Sequence, residues 1–255
     1  MNERVSVVMA VHNGDRFLAE QVASILDQLG PEDELLIVDD ASSDGSAEWL
    51  ASLADPRQRL LVNATNQGIR STFERGFAES RHNIVFLSDQ DDVWMPGKRE
   101  AFVKAFRRDP TVLVVLSDSE LIDAEGNVIA ASFMATRGGF RRGWWSTIVR
   151  NRYLGCSMAV RRRLFSVALP VPATAPMHDM WLGAIGSIFG SIVYLPATYL
   201  KYRRHSRNAT PLIRRSVPVM LWRRIGFLYA VASRVMALAL QGRWPGRAAL
   251  WRTGP

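Results

Sequence analysis

"VSVVMAVHNGDRFLAEQVASILDQLGPEDELLIVDD", residues 5–40, decides the fold. It opens on a continuous apolar run that ends in the polar turn His12–Asn13. A run without alternation reads as a strand buried on both faces. In the next segment, "RFLAEQVASILDQL", the residues Phe17, Val22, Ile25, Leu26 and Leu29 can share one face of a helix. "ELLIVDD" is then a second apolar strand, running into the Gly-containing loop "ASSDGS".

The same rhythm continues outward. "SAEWLASLA" reads as a short helix with Ser46 as its N-cap, "RLLVN" as a third strand and "GIRSTFERGFAES" as a helix. "NIVFLSD", "KREAFVKAFRRD" and "TVLVVLSD" follow as strand, helix and strand. Strands alternating with helices predict an α/β fold: a mostly parallel sheet with helices on both faces. Ligands bind such sheets beyond the carboxyl ends of the strands. Polar residues cluster at those ends: His12–Asn13, Asp39–Asp40, the segment from Asn63 to Gly68, and Asp89 to Asp92.

After residue 120 the rhythm breaks. "LIDAEGNVIAASF" reads as a hairpin around Glu125–Gly126. Residues 138–170 mix arginines with aromatics, a proline-rich loop leads to a helix at His178–Asp179, and "ATYLKYRRHSRNAT" is a short strand with a basic tail. Charge divides the chain in the same place. Residues 1–120 carry 12 basic and 21 acidic side chains, and residues 121–255 carry 20 basic and 3 acidic, for a net +8. The acidic half is unsuited to nucleic acid. The basic half suits phosphates or an anionic membrane, and 19 of its 20 basic residues are arginine. One cysteine, Cys156, allows no internal disulfide and fits a reducing cytoplasm; it reads as a small buried residue. The opening "MNER" runs directly into a strand, with no secretory signal expected.

Residues 209–255 read as a basic, apolar helical extension. Ile225 to Leu240 is 16 residues interrupted by Arg234, too short and too charged for a comfortable span. On a helix Arg223 and Arg234 fall within about 20° of each other. That suits a helix lying in a membrane interface with arginines toward head groups, or one packed on the domain.

In "LSDQDDVW", residues 87–94, three carboxylates stand within four positions at a strand end. Hard divalent ions prefer such oxygens, commonly together with substrate phosphates. The alternative is a solvated acidic turn with no cation in the local sequence. Asp39 and Asp40 suit a ribose or base, whereas Asp44 and Ser46 read as a turn that caps the next helix. Asp179 is the sole acidic residue after Glu125. It is either a first-turn residue favoured by the helix dipole or a proton acceptor, and both can hold at once. "YRRHSRN" reads as a diphosphate contact or a solvated basic tail. Trp144 and Trp145 can stack on sugar faces or join the core, where Trp181 is expected.

Taken in order, "VSVVMAVHNG", "LIVDDASSDGS", "NQGIRSTFERGF" and "FLSDQDDVWMPGK" resemble the nucleotide-sugar domain of the family 2 glycosyltransferases. "LSDQDDVW" with "HDMWL" and "YRRHSRN" is similar to the bacterial rhamnosyltransferase-like branch that builds surface polysaccharides. The likeness covers residues 4–120 and, more loosely, 150–208. It implies a GT-A fold of Rossmann-like character and an inverting transfer from a nucleotide diphosphate sugar, a dTDP- or UDP-sugar. Residues 1–120 would be the nucleotide-sugar half and 121–208 the acceptor half of one domain. By the same likeness Ala10, His12 and Asn13 hold the nucleotide, with "HN" where the family has "YN". Asp39 is the expected base contact with Asp40 beside it. Asn66, Gly68 and Arg70 line the nucleotide. Asp89 faces the ribose. Asp91, with His205, faces a Mg²⁺ or Mn²⁺ on the diphosphate. Asp179 matches the catalytic base, His178 would orient substrate, and Arg203 and Arg204 would fold over the donor.

The expected acceptor is a polyprenyl-linked glycan, met on the cytoplasmic face of the membrane. A nucleotidyltransferase of sugar phosphates fits less well, because "VHNGDRF" holds one glycine and no phosphate loop. A non-catalytic membrane- or nucleic-acid-binding protein leaves the strand-end carboxylates unexplained.

Overall fold

The computed structural model describes residues 3–140, 151–205 and 217–243. Strands β1 (Val5–Val11), β2 (Glu34–Asp39), β3 (Gln58–Val62) and β4 (Ile84–Ser88) alternate with helices α1 (Asp15–Leu26), α2 (Ser46–Ser52) and α3 (Ile69–Glu79). A two-residue β5 (Val93–Trp94) precedes α4 (Lys98–Arg108), β6 (Val112–Ile122), β7 (Val128–Ala130) and α5 (Phe133–Thr136). Then come β8 (Met158–Arg161), α6 (Phe165–Ala168), α7 (His178–Phe189), β9 (Ser191–Arg203) and α8 (Val217–Leu240).

One sheet holds them in the order β3-β2-β1-β4-β8-β6-β9-β5, with β7 on β6. The pairs β1–β2, β2–β3, β1–β4 and β6–β9 are parallel. β8 runs antiparallel between β4 and β6, and β5 and β7 also oppose the main direction. The expected α/β sheet is therefore present, with the antiparallel strands β5, β7 and β8 added after β4.

The apolar runs of β1 and β2, Ala10 apart, are buried because each face packs on helices. Val5, Val7 and Met9 join Val22 and Ile25 of α1 and Phe102 and Phe106 of α4. Val8 points the other way, onto Phe73 and Phe77 of α3 and Trp181 of α7. This period-2 division is that of any strand, and it builds one core on each face of the sheet.

Two local expectations change. Ser46 is the first residue of α2 rather than its cap: Gly45 precedes it with φ +90°, and the Asp44 carboxylate accepts the Ser46 N–H at 3.0 Å. α8 does pack on the domain, burying Phe227, Ala230, Val231 and Leu238. Arg234 points inward, not toward head groups. Its guanidinium donates to the carbonyls of Val167, Leu169 and Pro170 and lies 5.4 Å from the Trp181 ring centre. Carbonyls left open at the end of α6 are what draw it in.

Candidate active site

A cavity of about 350 Å³ opens at the carboxyl ends of β1, β2 and β4, with the first turn of α7 across from them. Its wall takes Ala10 from β1 and His12 just after it, Asp40 after β2, Asn66 and Gly68 before α3, and Asp89 and Asp91 after β4. Gly155, His178 and Asp179 line it as well. Nine of the expected residues thus meet in one cleft: Ala10, His12, Asp40, Asn66, Gly68, Asp89, Asp91, His178 and Asp179.

After β2 the carboxylate presented to the cavity is Asp40, not Asp39. Asp39 is fully buried, and its oxygens accept the Ser42 backbone N–H at 2.9 Å and the Ser42 hydroxyl at 2.5 Å. Asp40 accepts from Asn63 at 2.6 Å and from the N–H groups of Gln67 and Gly68 at 2.8 Å each. Burial would raise this carboxyl, but those donors outweigh it and hold Asp40 below the usual carboxylate range. Asn13 turns away, its φ at +51° and its Oδ1 accepting the Ser43 N–H. Arg70 reaches the Pro172 carbonyl at 3.1 Å, tying α3 to the loop before α7.

Gln90, between the two acids, was not singled out by the sequence. Its amide makes both bonds of a strand-like pair with the backbone of His12, accepting from N–H at 2.7 Å and donating to C=O at 3.0 Å. Gly14 permits this: a Cβ there would stand 2.7 Å from Gln90 Oε1. "VHNG" next to a D-x-D was the available signal.

The acidic cluster is held from the far end of the chain. Arg203 donates its backbone N–H to the Asp92 carboxylate at 2.9 Å and its Nε to the Asp91 carbonyl at 2.9 Å. Its Nη2 reaches Glu20 at 2.6 Å, so this buried guanidinium braces the loop and is not offered to a diphosphate. Arg204 donates to the Tyr202 hydroxyl at 2.9 Å and likewise stands outside the cavity wall. His205 Nε2 sits 2.8 Å from Asp91 Oδ2, which brings together the two residues expected to share a metal. Trp144 and Trp145 lie outside the described residues.

The carboxylates do have a protein cation behind them, which the local sequence did not reveal. Lys98 is fully buried, with Nζ 2.7 Å from the Cys156 carbonyl and 4.4 Å from the Trp94 ring centre. Burial pushes its ammonium down to about 8, against the pull of Asp92 and Asp89. Asp89 and Asp92 are both pushed up, first by burial and then by neighbouring carboxylates. Asp89, Asp92 and Cys156 bring ligand atoms within 4.8 Å of one another. Burial pushes that thiol well above its usual range, so it stays protonated and suits a hydrogen-bonded cluster better than a hard ion. Asp91 at the cavity wall and the His205 imidazole beside it fit a divalent ion. Lys98→Met is expected to lower stability by roughly 1–3 kcal/mol, because the buried Cys156 carbonyl loses its donor. Urea denaturation checks this, and an unchanged midpoint would overturn it.

Asp179 enters the first turn of α7, after Met177 at the cap position. Its Oδ2 accepts the Gly155 N–H at 3.1 Å, and its Oδ1 accepts the Met180 N–H. Burial nevertheless raises the carboxyl to about 6. His178 is buried against the Phe73 ring, 4.2 Å between centres, and burial pushes it down to about 3, so it is neutral near pH 7. Gly155 leaves the room both need: a Cβ there would lie 3.3 Å from His178 Nε2 and 3.4 Å from Asp179 Cβ.

Residues 6–185 match the model of the family described as glycosyl transferase family 2. A glycosyltransferase of Nostoc sp. is 31% identical over 128 residues, 49% of this chain and 39% of its own length. The Escherichia coli UDP-Glc:alpha-D-GlcNAc-diphosphoundecaprenol beta-1,3-glucosyltransferase WfgD is 24% identical over 159 residues, 62% of this chain and 60% of its own length. Among solved structures, Staphylococcus aureus TarS 1-349 in complex with UDP-GlcNAc superposes with a TM-score of 0.68 at 14% identity. That superposition covers 91% of this chain and 66% of TarS 1-349, and it shows a shared fold. The chain thus spans about two fifths to three fifths of the length of these two curated relatives.

Proposed function

The chain belongs to glycosyl transferase family 2, and from that premise we propose that it moves a sugar from a nucleotide diphosphate sugar to a hydroxyl of a lipid-linked surface glycan, with inversion. One observation carries the reading: the Asp89–Asp91 pair and Asp179 line the same cavity. Residues 1–120 hold a UDP- or dTDP-sugar, and residues 121–208 present the acceptor. Rhamnose is the sugar we propose, on the likeness of "LSDQDDVW" and "HDMWL". A polyprenyl-linked acceptor is in keeping with the name of WfgD, which specifies a diphosphoundecaprenol-linked substrate.

In the transfer, the acceptor oxygen bonds to the anomeric carbon as the bond from that carbon to the diphosphate breaks. Asp179 takes the hydroxyl proton on a carboxylate oxygen. Its raised affinity for protons suits a base that must accept one in the transition state. Asp91 and His205 would hold Mg²⁺ or Mn²⁺, which when bound stabilises the charge on the departing diphosphate. Asp40, Asn66 and Gly68 shape the nucleotide side of the cavity.

The test is release of nucleoside diphosphate from a panel of UDP- and dTDP-sugars with Mn²⁺ or Mg²⁺, with and without a polyprenyl-linked acceptor. Acceptor-dependent release is expected, with an acid limb near pH 6. The sign follows from Asp179: its proton affinity is raised to about 6, so below that pH the base is protonated and the rate falls about tenfold per unit. Release of pyrophosphate would instead indicate nucleotidyl transfer. No turnover and no nucleotide binding would overturn the reading.

A further inference from the structure

α8 has two apolar faces, and among the described residues only one is covered. Phe227, Ala230, Val231 and Leu238 are 0–6% exposed and pack toward α7, with Phe227 edge-on to Trp181 at 6.3 Å. Trp222 is 76% exposed, Ile225 50%, Tyr229 72%, Met236 61% and Leu240 82%. At about 100° per residue these five fall within an arc of roughly 60°, and that arc lies nearly opposite the packed one. From Trp222 to Leu240 the stripe is about 27 Å long. Large exposed apolar side chains aligned in this way mark a docking surface, whereas scattered ones need no explanation.

We infer that this outer face of α8 is a docking surface for an anionic lipid bilayer, on which the helix lies parallel to the membrane plane. The charge around it selects that occupant. From residue 209 to 255 the chain carries eight arginines and no acidic side chain. Arg243, just past the end of the stripe, and Arg223, near its start but turned toward the packed side, are both exposed. A second copy of the same face would bring like charges together, whereas anionic head groups neutralise them. Trp222 and Tyr229 are the amphipathic rings that favour the depth of the head groups. No helix among the described residues is long and apolar enough to cross a membrane, which agrees with a helix lying on one. Arg234 fixes the orientation: anchored to the carbonyls at 167–170, it keeps the Phe227 side against the domain and the Tyr229 side outward.

This inference stands on α8 alone and does not need the transfer reaction. The experiment is flotation of the full chain with vesicles of phosphatidylcholine containing 30% phosphatidylglycerol, and with phosphatidylcholine alone. Strong binding to the anionic vesicles and at least tenfold weaker binding to the neutral ones are expected, with loss of binding as salt rises. The double variant Tyr229→Ser, Met236→Ser should bind anionic vesicles at least tenfold more weakly, with unchanged near-ultraviolet dichroism and unchanged nucleotide binding in the absence of lipid. Equal binding by parent and variant, or no binding by the parent, overturns the inference. So does sedimentation equilibrium showing that the same two residues hold a dimer which does not bind vesicles. Nucleotide binding is read separately, so its loss would bear on the proposed function and not on this surface.

Discussion

Asp179→Asn is expected to cut the rate of sugar transfer about a thousandfold, the scale of a lost general base. Donor binding should stay within about twofold of the parent, since an interaction used only in the transition state lowers kcat with little effect on substrate affinity. The reason is positional: no second acidic residue follows Glu125 in the sequence, and Asp179 alone of the late carboxylates reaches the cavity. The same variant carries a stability signature. In the folded protein the carboxyl is raised to about 6 from an ordinary 3.8, so the folded state binds the proton more tightly than the unfolded chain. The stabilisation from that proton is present below about pH 4 and lost as pH rises through 6. At pH 8 the buried charge costs about 3 kcal/mol. Asparagine removes the charge but gives up one acceptor for the Gly155 or Met180 N–H, worth about 1 kcal/mol. The variant should therefore be more stable than the parent at pH 8, and no more stable at pH 4. Transfer assays and urea titrations at both pH values check this; transfer at the parental rate would remove Asp179 from the role of base.

Asp91→Ala is expected to abolish the metal-dependent part of donor binding, a loss of a hundredfold or more (~3 kcal/mol). Titration calorimetry of a nucleoside diphosphate with and without Mn²⁺ measures it. His205→Ala should weaken the same binding about tenfold, because the imidazole meets the Asp91 carboxylate at 2.8 Å and packs on the Phe17 ring, 5.0 Å between centres. The loop should survive the Asp91 change, as its backbone is fixed by Arg203 through the Asp91 carbonyl and the Asp92 carboxylate. Unaltered Mn²⁺-dependent binding in Asp91→Ala would move the metal elsewhere, with Asp89 the next candidate.

The first four strands were legible because their signal is local. An apolar run such as that of β1 is buried on both faces by its own neighbours, and the polar turns that end β1, β2 and β4 fall together once the strands are parallel. His12, Asp40, Asp89 and Asp91, four of the expected residues that line the cavity, could be read on that ground. β8 was not legible, since four residues in an arginine-rich stretch carry no period. Neither was the first half of β9. "GAIGSIFGSIVYLP" is apolar without a break, and periodicity alone does not separate the end of α7 from a following strand. The register of β9 on β6 slips between Leu195 and Thr198, where Pro196 has no N–H to give. The partners of Asp39 and Arg203 were hidden for a related reason. Sequence shows that a carboxylate or guanidinium is near a site, but not which protein groups already use it. Ser42 occupies the first and Glu20 the second, 183 positions away.

The brace from Arg203 and His205 to Asp91 and Asp92 also sets an order of assembly. Bonds with sequence separations of 111 to 114 complete the loop after β4. A chain emerging N-terminus first can pair β1 to β4 early, as those contacts lie wholly within the first 88 residues. The loop after β4 gains its brace only when β9 has been synthesised and has settled on β6. The cavity at the strand ends would therefore ripen last during synthesis, and a fragment ending at residue 120 would carry the D-x-D without its brace from Arg203 and His205.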